Sequence, residues 1–208
     1  RASAAMGEYD TATTLYVLAA NRLPWYCPVF GEAGDAYWLD GQPGESATWF
    51  SRGESCHGLS QDQWITYGDA LASLGNQDSA TRAWKLGLAH YGPSHGAYIR
   101  LAEAASQAGD FSHAIDLYSR AIELSPDDAD SHYQMALILV ATDPARALPE
   151  LMQVSSLDPD READIRMIRT ELNRAFLVDD PSYQFTRAGR ALASLDEWHL
   201  AAEAFDHA

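Results

Sequence analysis

Positive charge is scarce in this chain. Its 208 residues include 14 arginines and lysines, of which Lys85 is the only lysine, against 30 aspartates and glutamates, so the formal net charge is −16. Proteins that bind nucleic acids, and segments that bind anionic membrane surfaces, place clustered Lys and Arg against the phosphates. The charge balance therefore predicts no nucleic-acid partner and no affinity for an anionic membrane.

Long apolar runs and catalytic motifs are also missing. The longest uninterrupted apolar run, Met135–Ala141, is far shorter than the roughly 20 residues of a membrane-spanning helix. The sequence has no nucleophile elbow, phosphate-binding loop or dinucleotide-binding glycine motif, and no two histidines have the i, i+4 spacing of helical metal ligands. We expect no intrinsic enzyme activity, no cofactor, no metal site and no membrane-spanning segment in this chain.

A 34-residue repeat organises the sequence. Glycines stand at four positions, each 34 residues after the last: Gly7, Gly41, Gly75 and Gly109. Large aromatic residues precede the last three glycines at the same spacing: Phe30, Trp64 and Tyr98. A fixed period of this size indicates helical units that stack on one another, because a single unit cannot bury its own apolar face.

The repeat resembles the tetratricopeptide repeat family. The segment 95–128 gives the best match, with family-like residues at these positions: Tyr98, Leu101, Ala102, Gly109, Ala114, Tyr118, Ala121 and Pro126. The resemblance covers nearly the whole chain. It implies an all-α fold, a right-handed α-solenoid of antiparallel helix pairs, and a function in protein–protein interaction.

The repeat pattern predicts a single array over 1–208. We expect a partial repeat at 1–24, a degenerate repeat at 27–58, further repeats at 61–92, 95–127 and 129–159, an extra helix at 160–178 and a partial repeat at 182–208. Small residues such as Gly34 and Gly68 should let paired helices approach closely beside an aromatic side chain. Both ends of the chain fall inside a repeat, which predicts a segment of a longer array or self-association through the unfinished terminal repeats.

Both cysteines of the chain lie in the degenerate repeat. Cys27 would begin its first helix and Cys56 would end its second, so an antiparallel pair places both sulfurs at the same end of the hairpin. A disulfide is geometrically reasonable there and would indicate the periplasm, cell envelope or cell exterior. Two reduced thiols are the alternative, and they would favour the cytoplasm.

Acidic residues occupy one equivalent position in three successive repeats: Asp35, Asp69 and Glu103. In the family that the chain resembles, the first helices of successive repeats line an inner groove that often holds extended peptides. An acidic ladder in this groove would favour a basic partner, although such acids also commonly mark a solvated face. The family's clamp for peptide carboxylates uses Lys, Asn and Arg, so these acids argue against that co-chaperone function.

Four further residues are candidate partner contacts beside the acids: Trp38, Ile65, Ile99 and Tyr133. Trp and Tyr are favoured anchors at interfaces. The alternative for Trp38 is packing beneath a neighbouring loop or helix. The segment from Tyr133 through Leu137 and Val140 would continue the inner face in apolar form.

Three functions are compatible with these observations. The first is a non-catalytic scaffold that binds a peptide or protein partner in its concave groove, where the acids would favour a basic one. The second is a structural subunit of a cell-envelope or extracellular assembly, which the terminal half-repeats and the two cysteines favour. The third is a recruiting arm of a larger membrane enzyme whose catalytic part lies outside this chain.

Overall fold

The computed structural model describes residues 9–208. Within this range the chain forms twelve α-helices and a short 3-10 helix, Pro159–Arg161, with no β-strand. The α-helices are α1 (Tyr9–Arg22), α2 (Pro28–Leu39), α3 (Pro43–Ser55), α4 (Gln61–Ser73), α5 (Gln77–Tyr91), α6 (His95–Gln107), α7 (Phe111–Leu124), α8 (Ala129–Thr142), α9 (Pro144–Leu157), α10 (Glu162–Ala175), α11 (Pro181–Ala193) and α12 (Trp198–Asp206). The all-α fold class predicted from the sequence is confirmed. Gly7 and the rest of 1–8, which belong to the expected first partial repeat, lie outside the described residues.

The chain divides into two compact units, one ending at Leu101 and one spanning Ala102–Ala208. In the first unit α2 pairs with α3 and α4 with α5, α1 packs against α2, and α2 also packs against α4. In the second unit α8 pairs with α9 and α11 with α12, while α10 packs against α9 and α11. A single continuous array remains a prediction. Among the helices of residues 9–208, none combines the length and apolar character that a membrane span requires.

Left-handed backbone marks the turn that follows each of four helices. Gly41, Gly75 and Gly109 follow α2, α4 and α6 with φ of 73°, 76° and 77°. Glycine adopts this conformation without the steric cost that a Cβ atom would bring. Asp196 takes the same place after α11 with φ of 62°, and aspartate is one of the few other residues that tolerate it. The 34-residue glycine spacing therefore reports a repeated chain reversal.

Glycines admit aromatic rings between the paired helices of the first unit. A Cβ atom on Gly34 in α2 would lie 2.7 Å from two ring carbons of Phe50 in α3, and Phe50 is fully buried. Gly68 in α4 lies against the Trp84 ring of α5 in the same way. The indole nitrogen of Trp84 donates to the backbone oxygen of Ile65 at 3.2 Å. The prediction that small residues let these helices approach beside an aromatic is confirmed at both positions.

Helix α8 is the buried centre of the second unit. Its residues from Met135 to Ala141 are at most 6% exposed, because α7, α9, α11 and α12 all pack against it. A helix that is apolar on every side is stable only when other elements surround it. The expectation that Leu137 and Val140 continue the inner face in apolar form is therefore wrong, since the chain's own C-terminal pair of helices covers α8.

Candidate functional site

The first unit places three helices side by side in the order α2, α4, α6. Helix α2 packs directly against α4, and side chains on the next helix reach back to acids on the previous one. Gly96, at the start of α6, brings that helix close to α4, because a Cβ atom there would lie 3.2 Å from Cδ1 of Ile65. We call the surface formed by α2, α4 and residues 95–101 of α6 the inner face.

Asp35 lies half-buried between α2 and α4 on the inner face. Its carboxylate accepts a hydrogen bond from the side-chain nitrogen of Gln63 at 2.8 Å. Burial raises the pKa of Asp35 to about 6 from the usual 3.8; the Gln63 hydrogen bond opposes this shift, and the nearby carboxylates of Glu32 and Asp62 reinforce it. Removing a carboxylate from water favours its neutral form, and like charges nearby have the same effect. This part of the inner face therefore favours a cation.

Gln63 is fixed in place by the start of α4. Its side-chain oxygen accepts from the backbone nitrogen of Ser60 at 3.0 Å, and the Ser60 hydroxyl accepts from the backbone nitrogen of Gln63 at 3.3 Å. This reciprocal arrangement is a capping box, which satisfies backbone donors that a helix start otherwise leaves without partners. The Gln63 side chain lies over Gly31 of α2, where a Cβ atom would collide with it. The same amide thus caps α4 and binds Asp35.

Asp69 is joined to the following helix by an ion pair. Nε of Arg100 in α6 lies 2.9 Å from its carboxylate, and the two side chains are 40% and 18% exposed, Arg100 the more so. The sequence placed Asp35 and Asp69 at equivalent positions, and the structure gives each a donor from the next first helix. Sequence reasoning placed Arg100 in the groove without its pairing to Asp69, and it missed Gln63 and the neighbouring acids Glu32 and Asp62. Each donor lies 28 or 31 residues after the acid that it contacts. This relationship becomes visible only when the helices are stacked.

The apolar candidates of the first unit, Trp38, Ile65 and Ile99, are all half-buried. Trp38 packs against the core cluster that contains Phe50, Trp64 and Tyr67. Its ring therefore contributes to the packing of the first unit. Ile65 contacts the start of α6 at Gly96. Ile65 and Ile99 each leave part of their side chain accessible to solvent.

Glu103 and Tyr133 belong to the second unit, and both are half-buried. The guanidinium carbon of Arg161 lies 4.5 Å from the centre of the Tyr133 ring, and Arg161 also pairs with Asp130 and Asp158. Burial raises the pKa of the Tyr133 hydroxyl, with a further contribution from the carboxylate of Asp164. Tyr133 is thus already engaged by side chains of its own unit.

Cys27 and Cys56 form a disulfide in the structure, with Cα atoms 5.9 Å apart. The bond joins the residue before α2 to the residue after α3, at the end of the hairpin where the sequence placed both sulfurs. Among the described residues, no group of three or more His, Cys, Asp or Glu side chains is arranged to hold a metal ion.

Comparison with known proteins identifies the repeat. The family model for the TPR repeat matches residues 104–143. This segment runs from the second half of α6 to the end of α8. No curated protein sequence matches the chain.

Solved structures share the fold over most of the chain. YrrB, described as a TPR protein with an unusual peptide-binding site, is 16% identical with a TM-score of 0.69, over 82% of this chain and 87% of its own. A MamA structure is 16% identical with a TM-score of 0.70, over 77% of this chain and 88% of its own. MamA from Desulfovibrio magneticus RS-1 is 16% identical with a TM-score of 0.60, over 87% and 92%. The chain therefore contains a TPR repeat at residues 104–143 and shares the all-α fold of these structures.

Proposed function

We propose that the chain is a non-catalytic scaffold that binds an extended basic segment of a protein partner along the inner face of its first unit. The observation that supports this most strongly is the environment of Asp35. Two carboxylates, those of Glu32 and Asp62, raise its pKa together with burial, and its hydrogen-bond donor Gln63 is uncharged. A guanidinium or ammonium group placed there would supply the positive charge that the site favours.

The remaining inner-face residues complete the proposed site. Ile65 and Ile99 offer apolar contact to alternate side chains of an extended peptide, and Trp38 supports them from the core. Asp69 is a second acidic position. A cation of the partner would either bind Asp69 together with Arg100 or take the place of Arg100. The proposed site ends at Leu101, because Glu103 and Tyr133 lie in the second unit, where Tyr133 already contacts Arg161.

The comparisons support the coarse part of this proposal. Tetratricopeptide folds generally serve as interaction scaffolds, and one structural neighbour is described as having a peptide-binding site. Because these neighbours are 16% identical, they support the fold alone. The partner is inferred from the residues of this chain. The Cys27–Cys56 disulfide further supports a place of action in an oxidising compartment.

Fluorescence anisotropy with labelled peptides tests the proposal. The probes are an extended peptide in which arginine and alanine alternate, and two peptides of equal length in which glutamate or serine replaces arginine. We expect the arginine peptide alone to bind, with an affinity that falls as salt rises. Asp35→Asn and Asp69→Asn should each weaken binding several-fold.

The matched control is Asp78→Asn, which removes one exposed charge from α5, off the inner face. It should leave the affinity nearly unchanged. Binding of the glutamate peptide with equal affinity, or equal losses in all three variants, would contradict the proposed site and its charge preference.

A further inference from the structure

Three connecting segments meet at one edge of the first unit. They precede α2, α4 and α6, and we call them together the loop edge (residues 23–28, 56–60 and 90–95). The disulfide joins the first segment to the second. The Tyr91 hydroxyl donates to the Leu59 backbone oxygen, and the Gln61 side-chain nitrogen donates to the Gly92 oxygen at 3.1 Å, which joins the second segment to the third.

The loop edge carries no Asp, Glu, Lys or Arg. The uncharged stretches extend beyond the loops themselves, over residues 23–31, 55–61 and 86–99. Elsewhere the chain is rich in acids, with a formal net charge of −16. Two copies of such a chain repel each other over most of their surfaces. The loop edge is a surface where two copies can approach without placing like charges together.

Large aromatic side chains are exposed on this edge. Trp25 is 74% exposed, Tyr26 53% and Tyr91 52%. Exposed apolar surface of this kind marks interaction sites in folded proteins, and Trp and Tyr dominate the binding energy of interfaces. None of the three rings belongs to the core cluster that holds Phe30 and Trp49.

A cavity of about 430 Å³ opens beside the exposed ring of Tyr91. Its lining combines buried Leu59 and Trp64, exposed His57, His90 and Tyr91, and the carboxylate of Glu54. The His90 ring lies 5.9 Å from the Trp64 ring and nearly parallel to it, and the His57 ring meets His90 edge-on at 6.4 Å. Cavities of this size with aromatic walls and a few polar groups are suited to a large aromatic side chain.

The backbone at His57 is held in an unusual conformation next to this cavity. His57 has φ of 57°, in the left-handed region that non-glycine residues seldom occupy and that often coincides with functional sites. His57 follows Cys56 directly, and Trp25 lies two residues before Cys27. Since the two cysteine Cα atoms are 5.9 Å apart, the exposed indole and the cavity rim adjoin on one edge.

We propose that the loop edge is a self-association surface, and that Trp25 of one copy enters the cavity beside His57 and His90 of a second copy. A two-fold axis through this edge makes the contact reciprocal, because each copy then presents one indole and one cavity. The contact is aromatic, and the acid that lines the cavity, Glu54, is already paired with Arg82 at 2.9 Å, so this surface is distinct from the basic-peptide site of the inner face. The Cys27–Cys56 disulfide holds the segment that carries Trp25 and the segment that carries His57 at a fixed separation.

Sedimentation velocity over a micromolar to millimolar concentration series tests this assignment. We expect a monomer–dimer equilibrium that persists at high salt, because screening reduces the repulsion between the two acidic copies. Trp25→Ala should raise the dimer dissociation constant about tenfold or more. The control is Trp198→Ala, which removes another exposed indole, from α12 of the second unit, and should leave the equilibrium unchanged.

A second variant tests the cavity without touching Trp25. Ser55→Trp places a large ring at the cavity wall and should weaken the dimer as Trp25→Ala does. An equimolar mixture of the two variants retains one intact contact, so it should associate more strongly than either variant alone. Circular dichroism melting checks that each variant folds.

Three results would overturn the assignment. They are a wild-type monomer at every concentration, a dimer that Trp25→Ala leaves unchanged, and equal effects of Trp25→Ala and Trp198→Ala. Loss of peptide binding in Asp35→Asn with an unchanged dimer would show that the two surfaces act separately.

Discussion

The carboxylate of Asp69 in α4 lies 2.9 Å from Nε of Arg100 in α6. This ion pair connects the first helices of successive repeats on the inner face. It shows that an acid expected to be a partner contact also stabilises the stack. Its strength is limited, because Arg100 is 40% exposed and exposed ion pairs contribute little.

Arg100→Gln should therefore lower the free energy of unfolding of the chain by about 0.5–1 kcal/mol, since Asp69 loses a charged donor while partly buried. Urea unfolding monitored by circular dichroism measures the change. Arg82→Gln is the control, because Arg82 pairs with Glu54 at the same 2.9 Å but is more exposed. A larger loss of unfolding free energy for Arg82→Gln than for Arg100→Gln would contradict the expectation that the less exposed ion pair contributes more.

Replacing both cysteines with serine should lower the free energy of unfolding by about 3–4 kcal/mol, the chain-entropy value for a loop of this length. The two residues are 29 apart in sequence. Urea unfolding with and without a reductant provides the measurement. Reductant should destabilise the wild-type chain and leave the double variant unaffected. Equal midpoints for wild type under both conditions, or two freely alkylated thiols in the native chain, would show that the bond does not form.

Asp35 should make the fold less stable as pH rises. Its pKa is about 6 in the folded chain against 3.8, so the folded state binds the proton more tightly than the unfolded state. Stability is then highest at low pH for this group and falls between about pH 4 and 6.

Asp35→Asn removes the cost of holding an ionised carboxylate in a partly buried place. It keeps a side-chain oxygen that accepts a hydrogen bond from Gln63. We expect the variant to be about 1–2 kcal/mol more stable than wild type at pH 7, with the gain disappearing near pH 4. Thermal melts across this pH range measure the difference, with Asp78→Asn as a matched control for the loss of one charge. A gain independent of pH would rule out the ionisation of Asp35 as its cause.

Gly34→Ala should destabilise the first unit by about 1–3 kcal/mol, the typical cost of overpacking a filled core. The added methyl group would meet the fully buried ring of Phe50 at 2.7 Å. Gly44→Ala is the matched control, because no atom lies within 4 Å of the Cβ position there. Since Gly44 lies in α3, alanine should be neutral or slightly stabilising at that position. Equal losses of unfolding free energy in the two variants would contradict close packing at Gly34.

Local chemistry made much of the fold predictable. Glycine at 34-residue intervals indicated a repeated reversal, and the positive φ of Gly41, Gly75 and Gly109 gives the physical cause. The pairing of Gly34 with an aromatic followed from the need of two helices to approach closely. The covered face of α8 was missed because an apolar segment such as Met135–Ala141 shows that a helix is buried without showing which helices bury it.

The sequence by itself determined that the chain is all-α, that it repeats, and that acids recur at Asp35 and Asp69, because these depend on period and residue type. Tertiary structure decided the partners of those acids, since Gln63 and Arg100 reach them only across packed helices. It also decided that α11 and α12 cover α8, and that three uncharged loops form one edge with a cavity beside Tyr91. Residues far apart in sequence become neighbours through packing, and packing depends on the shapes of whole helices rather than on any local pattern.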